Sequence, residues 1–148
     1  MKNNLYILRE EKDLLEKDIA KILNISPSVY CEWEQDKLSI PTKRLYELAN
    51  LFEVNIDYLV NLTSKRENIK TKEQLNSEKI AYNVKQIRLE LGLSMRALAK
   101  MLNTSSSAIS NYENNKNIIL SSFLIELAKI SNYSLDYILN RSNKKYLS

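Results

Sequence analysis

The side chains that most often perform chemistry are scarce in this chain, and their scarcity is the first constraint on function. Histidine is absent, which removes the commonest general base and the commonest metal ligand. A Ser-His-Asp or Cys-His catalytic unit is therefore impossible within the chain. Cys31 is the only cysteine, so no internal disulfide and no cysteine-built zinc site can form, and a reducing compartment is expected. Gly92 is the single glycine and cannot by itself make a phosphate-cradling loop. Carboxylates and lysines are plentiful, but no pattern among them points to acid–base catalysis. The expectation is a protein that is not an enzyme and carries no cofactor and no metal. A redox role for Cys31 would lack a neighbouring histidine or resolving thiol.

What remains is binding, and binding residues need elements to hold them. With 44% hydrophobic and 27% charged residues among 148, a core can form and general disorder is not expected. One glycine and two prolines are too few for the frequent turns of an all-β fold. The expected fold class is all-α, with turns built from Asn and Ser. No apolar run approaches the roughly 18 residues of a membrane span, and the N-terminus lacks a signal-peptide core. A soluble, cytoplasmic protein with no membrane contact is expected.

The chain repeats itself. Setting Arg9–Asn61 over Arg88–Asn140, an offset of 79, gives 19 identities in 53 gapless positions. They include Ala20/Ala99, Asn24/Asn103, Ser26/Ser105, Lys37/Lys116, Leu45/Leu124, Asp57/Asp136 and Tyr58/Tyr137. Bias toward Asn and Lys would not align Ala, Asp and Tyr in order without a gap, so the pattern reads as a duplicated domain.

Apolar period and capping signals divide each copy into five short helices. In the second copy the first helix is expected over 78–91, with Gly92 ending it in the left-handed conformation. Ser94 caps a second over 95–102, and Ser105 caps a third over 106–114. A fourth lies near 122–131, and Ser134 caps a short fifth reaching 140. The first copy has weaker starts, except that Ser26 and Pro27 open its third helix with a cap and a proline at the first position. Trp33 and Tyr112, at matching positions, and Tyr58 and Tyr137 read as packing residues. The resulting boundaries are a first domain over 1–62, a polar linker over 63–77, a second domain over 78–141, and a frayed basic tail over 142–148.

The stretch Leu93–Lys116 (LSMRALAKMLNTSSSAISNYENNK) resembles the helix-turn-helix of the lambda-repressor/Cro-like, or XRE-type, family. Ala99 is small where the second and third helices cross, Leu98, Leu102 and Ile109 supply apolar contact, and Asn103 stands where the family usually has glycine. Arg88 and Glu113 match a pair that forms an internal ion pair in the family. Arg9 and Glu34 match it in the first copy, again 25 residues apart. The resemblance implies two tandem five-helix lambda-repressor-like domains joined by a short charged linker, with Arg9, Glu34, Arg88 and Glu113 as structural ion pairs.

The resemblance also implies a partner, double-stranded DNA, with the third helix in the major groove. Carried onto the second copy, it places Ser106, Ser107, Ser110 and Asn111 toward base edges. Arg96, Lys100, Asn114 and Lys116 then fall along the phosphates. The first copy departs from the pattern, with Pro27, Ser28, Cys31 and Glu32 at the groove-facing positions and Glu16 and Asp18 beside them. Ser28, Glu32, Lys37 and Lys43 are its weaker contacts, with Arg44 completing a small basic cluster. Residues 1–64 hold 8 Lys/Arg against 11 Asp/Glu, and residues 65–148 hold 14 against 7. Since cationic neutralisation of phosphate supplies most nonspecific affinity, the second domain is expected to be the stronger reader. The function so implied is sequence-specific transcription regulation, with repression as the family's usual mode. The alternative is an antitoxin-like or adaptor protein whose acidic first domain holds a protein partner. A homodimer through that domain is equally open.

Overall fold

The computed structural model of the chain describes residues 2–147. They form ten helices and, among the described residues, no strand beyond one isolated bridge between Tyr133 and Tyr146. The first unit holds α1 (Leu5–Glu11), α2 (Glu16–Leu23), α3 (Pro27–Glu34), α4 (Thr42–Phe52) and α5 (Ile56–Leu59). The second holds α6 (Ser77–Glu90), α7 (Met95–Met101), α8 (Ser106–Glu113), α9 (Ser121–Ser131) and α10 (Leu135–Ile138). The two are separate compact bodies divided after Thr71.

Helix starts follow the side chains that can cap them. Ser94, Ser105 and Asn76 each accept a bond from the backbone N–H three residues on, at 3.0–3.1 Å, which satisfies donors that a helix N-terminus leaves orphaned. In the first unit Ser26 does the same for Val29 at 3.3 Å, and Pro27 follows it. The start of α2 has Leu15 where a cap belongs, and the bond comes from the other direction: Asp18 Oδ2 accepts from Leu15 N at 2.8 Å.

Helix ends explain how a chain with one glycine turns so often. Ten of the described residues have positive φ: Asp13, Asn24, Asp36, Glu53 and Asn61 in the first unit, and Gly92, Asn103, Asn115, Asn132 and Asn140 in the second. Each member of the second set lies 79 residues after its counterpart, so both units turn at the same five places. At Gly92 and Asp13 alike, the next residue's N–H reaches back to the arginine carbonyl, Leu93 to Arg88 and Leu14 to Arg9. Asn tolerates the left-handed region better than other residues with a side chain.

Each core is a matching set. Leu5, Leu8, Ile19, Leu45, Leu48 and Leu59 are buried in one unit, and Val84, Ile87, Leu98, Leu124, Leu127 and Ile138 in the other. Asn4 and Asn83, also 79 apart, tie the first helix of each unit to the last. Asn4 donates to Tyr58 O at 2.7 Å, and Asn83 to Ile138 O at 3.1 Å.

The segments after α5 and α10 differ from expectation. Within the linker expected over 63–77, residues 65–67 fold back onto the first unit. Asn55 N donates to Glu67 O, Asn55 Oδ1 accepts from Glu67 N at 2.8 Å, and Arg66 pairs with Glu11 at 2.8 Å. The expected frayed tail does the same in the second unit: Ser134 N donates to Lys145 O at 2.7 Å, and Leu147 N to Asn132 O at 3.0 Å. Tyr146 packs edge-on against Tyr133, ring centroids 4.9 Å apart. Asn55 and Ser134 are the N-cap residues of the two shortest helices. Their buried N–H groups need acceptors, and each returning segment supplies one. Ser148 lies outside the described residues.

Candidate nucleic-acid interface

In the second unit α7 and α8 are held together by fully apolar contact. Leu98, Leu102 and Ile109 are buried, and Ala99 between them leaves room for the helices to cross. Burial of Ile109 and Tyr112 sets which side of α8 faces inward. A directional contact then pins its C-terminal end. Arg88 Nε donates to Glu113 Oε2 at 2.6 Å and Nη2 to Oε1 at 2.9 Å, while Nη1 donates to Leu93 O at 2.9 Å. The fork ties the end of α6, the turn before α7 and the last residue of α8 to one planar group. Arg9 repeats it on Glu34 at 2.6 and 3.1 Å and on Leu14 O at 2.9 Å. Both guanidiniums are buried, and the hydrogen bond to the carboxylate pushes each arginine further toward its charged form.

With Ile109 and Tyr112 turned inward, the opposite side of α8 is set. Ser106, Ser107, Ser110, Asn111 and Asn114 fall within an arc of about 140° at 100° per residue. Ser106, Ser107 and Asn114 are exposed, and Ser110 and Asn111 half-buried. Arg96, Lys100 and Lys116 are exposed on the flanking segments, and among the described residues no ion pair engages them. The result is a helix face of short hydrogen-bonding side chains with free cations at its rim.

Two stretches of the chain match the family profile described as helix-turn-helix, residues 5–59 and residues 84–138. The chain belongs to the helix-turn-helix family. Its domains are of the lambda-repressor-like type, and it is a DNA-binding transcription regulator. Among solved structures, the P22 c2 repressor protein in complex with synthetic operator 9T is similar, with 28% identity and a TM-score of 0.40. The match covers 47% of this chain and all of that one. No curated protein matches. Among the described residues no helix is long and apolar enough to cross a membrane.

As a helix-turn-helix unit, the first domain presents a different face. Ser28, Glu32, Lys37 and Lys43 are all exposed. Ser28 Oγ lies 3.1 Å from Oγ of the cap residue Ser26, so part of its hydrogen-bonding capacity is already engaged. Arg44, expected to extend the basic cluster, turns inward: Nη1 donates to Leu23 O at 3.0 Å and pairs with Glu47. Its counterpart Phe123 instead packs against Tyr112, centroids 6.4 Å apart. Cys31 is half-buried, and the neighbouring Glu16 carboxylate pushes its thiol up, away from the reactive thiolate. Trp33 and Tyr30 lie buried edge to face, 6.3 Å between centroids. Among the described residues, Trp33 Nε1 is buried without a hydrogen-bond partner.

Three side-chain contacts go beyond what the sequence led us to expect. Asn114, expected on a phosphate, donates its amide to Ser110 O at 2.9 Å and to Ser110 Oγ at 3.1 Å. Gln35, four residues after Cys31, donates to the sulfur at 3.3 Å. The i,i+4 spacing was the available signal. Arg141 pairs with the buried Asp136, a contact the repeat does not foreshadow, since Leu62 stands at the position matching Arg141.

Proposed function

We propose that the chain is a sequence-specific repressor of the double-stranded DNA sites it recognises, and that the second domain is the stronger reader. In this reading α8 enters the major groove. Ser106, Ser107, Ser110 and Asn111 meet base edges, and Arg96, Lys100, Asn114 and Lys116 lie near the phosphates. The observation that carries it is the single polar face of α8 rimmed by three exposed, unengaged cations. The equivalent face of α3 bears Glu32, with Glu16 and Asp18 on α2. A carboxylate there can accept from cytosine but repels the phosphates around it.

Net charge supports the asymmetry less steeply than the bare sequence suggests. With the division after Thr71, the first unit holds 11 Lys/Arg and 12 Asp/Glu, and the second 11 and 6. The cations of 65–70 belong to the first unit, where Arg66 and Lys70 neutralise Glu11 and Glu53. The first domain then serves as a weaker reader or as a protein-binding module, through a partner or a second copy.

The test is enrichment of duplexes from a random library by the intact protein across a salt series. Binding that weakens steeply with salt and recovers a recurrent motif is expected. Asn111→Ala should erode that motif more than Ser28→Ala does. Equal erosion by the two overturns the asymmetry, and no binding at low salt by a folded protein overturns the reading as a whole.

A further inference from the structure

The polar face of α8 contains a contact that decides how one of its hydroxyls is presented. Asn114 Nδ2 lies 2.9 Å from Ser110 O and 3.1 Å from Ser110 Oγ. A backbone carbonyl only accepts, so the amide nitrogen, not the amide oxygen, must face Ser110. One of its hydrogens goes to the carbonyl and the other to the hydroxyl oxygen. One lone pair of Ser110 Oγ is thereby occupied, and no acceptor among the described residues takes the hydroxyl's own proton. The first unit repeats the reach with different chemistry: Gln35 Nε2 donates to Cys31 Sγ at 3.3 Å, at the two matching positions. The same amide-to-groove-residue contact thus persists although both residue types change.

We propose that Asn114 is a positioning residue that fixes the hydrogen-bond polarity of Ser110, so that Ser110 reads an acceptor on a base edge. The inference rests on α8 being the base-facing helix. An unconstrained serine hydroxyl rotates and serves a donor or an acceptor equally. Once Oγ accepts from Asn114, its proton is the group that needs a partner, and sealing it against DNA without one is costly. Accepting a bond also makes the hydroxyl a better donor. In the major groove the acceptors are guanine O6 and N7, adenine N7 and thymine O4, whereas cytosine N4 and adenine N6 are donors. Ser110 so held favours guanine or thymine at its position over cytosine.

Library enrichment with the intact protein tests this through base preference rather than affinity. Ser110→Ala locates the base pair concerned, since preference should flatten there alone. Asn114→Ala should reduce preference at that same pair by roughly three- to tenfold, the worth of one hydrogen bond. Asn114→Asp should reverse it toward cytosine, because a carboxylate takes the serine proton and leaves Oγ as acceptor only. Asn114→Gln, which borrows the first unit's amide, should restore the original preference. Melting curves followed by circular dichroism report whether each variant is folded, and the Asp and Gln variants keep a polar group at this helix end should Ala unfold it. A uniform weakening for all sequences in Asn114→Ala, with no change at the Ser110 pair, overturns the proposal and leaves Asn114 as a phosphate contact alone. Retained preference in Asn114→Asp overturns it equally. Absence of any motif with the unmodified protein defeats the DNA-reading of α8 first, and is seen before any variant is made.

Discussion

The two third helices, α3 and α8, share a scaffold and differ in the surface it displays. Each is eight residues long, each opens on a serine cap and each ends on a glutamate gripped by a buried arginine. Their outward faces diverge at nearly every position: Pro27, Cys31, Glu32 and Gln35 against Ser106, Ser110, Asn111 and Asn114. Only Ser28 and Ser107 match. The residues that hold the helix are thus separable from those that meet a partner. A duplicated unit retains its clamp because losing it leaves a buried charge, while its exposed face changes at little energetic consequence.

The comparison breaks most severely at the clamp. Arg88→Ala leaves Glu113 buried with no counter-charge, and the expected loss is about 3–5 kcal/mol from the second unit. Arg9→Ala should do the same to the first, because the three bonds of the fork are matched. Thermal unfolding followed by circular dichroism measures both. A second unit that melts normally after Arg88→Ala would show that the clamp is not structural. The paired change Arg88→Met with Glu113→Leu removes both charges and should recover much of the loss.

Exchanging a single residue between the two faces sharpens the comparison. Asn111→Glu gives α8 the carboxylate that α3 carries, and intact protein should bind duplex about tenfold more weakly, roughly 1.4 kcal/mol. Glu32→Asn in α3 removes that charge and should strengthen binding by a smaller factor, since Glu16 and Asp18 remain. Fluorescence titrations at fixed low salt measure both changes. If Asn111→Glu has no effect, α8 does not face the polyanion.

The starts of these helices were legible because a capping serine acts on the backbone three residues away, a local relation. The buried stripes were legible for the same reason, through period. The clamp and the third-helix face came from resemblance to a family, and the structure supplies their distances. The returning segments at 65–67 and 145–147 were not legible. Backbone N–H to carbonyl bonds, which leave no side-chain signature, carry much of their hold, the side-chain contacts join residues distant in sequence, and the residues themselves look like linker and tail. The Asn114–Ser110 contact was not legible for a related reason: a polar side chain on an exposed helix face has no sequence mark telling whether it points outward or back along its own helix.

The five matched turns give the smallest effect and the finest comparison of the two units. Glu53 and Asn132 occupy the same place after the fourth helix, with φ of 56° and 63°. Any side chain here brings its Cβ close to the following carbonyl, and the short polar side chain of Asn offsets that strain by local hydrogen bonding better than the longer glutamate does. The Glu53 side chain makes an exposed pair with Lys70 at 3.2 Å, worth a fraction of a kcal/mol. Glycine removes the strain but adds freedom to the unfolded chain, and the two terms oppose each other. For Glu53→Gly the strain relieved is the larger, and a gain of about 0.5–1 kcal/mol is expected. For Asn132→Gly the terms nearly cancel, and its melting temperature should scarcely move. Differential scanning calorimetry of the two variants in the intact chain tests the pair together. Equal shifts in both would mean that side-chain type at this turn does not set its strain, and that the asparagines of the second unit are there for another reason.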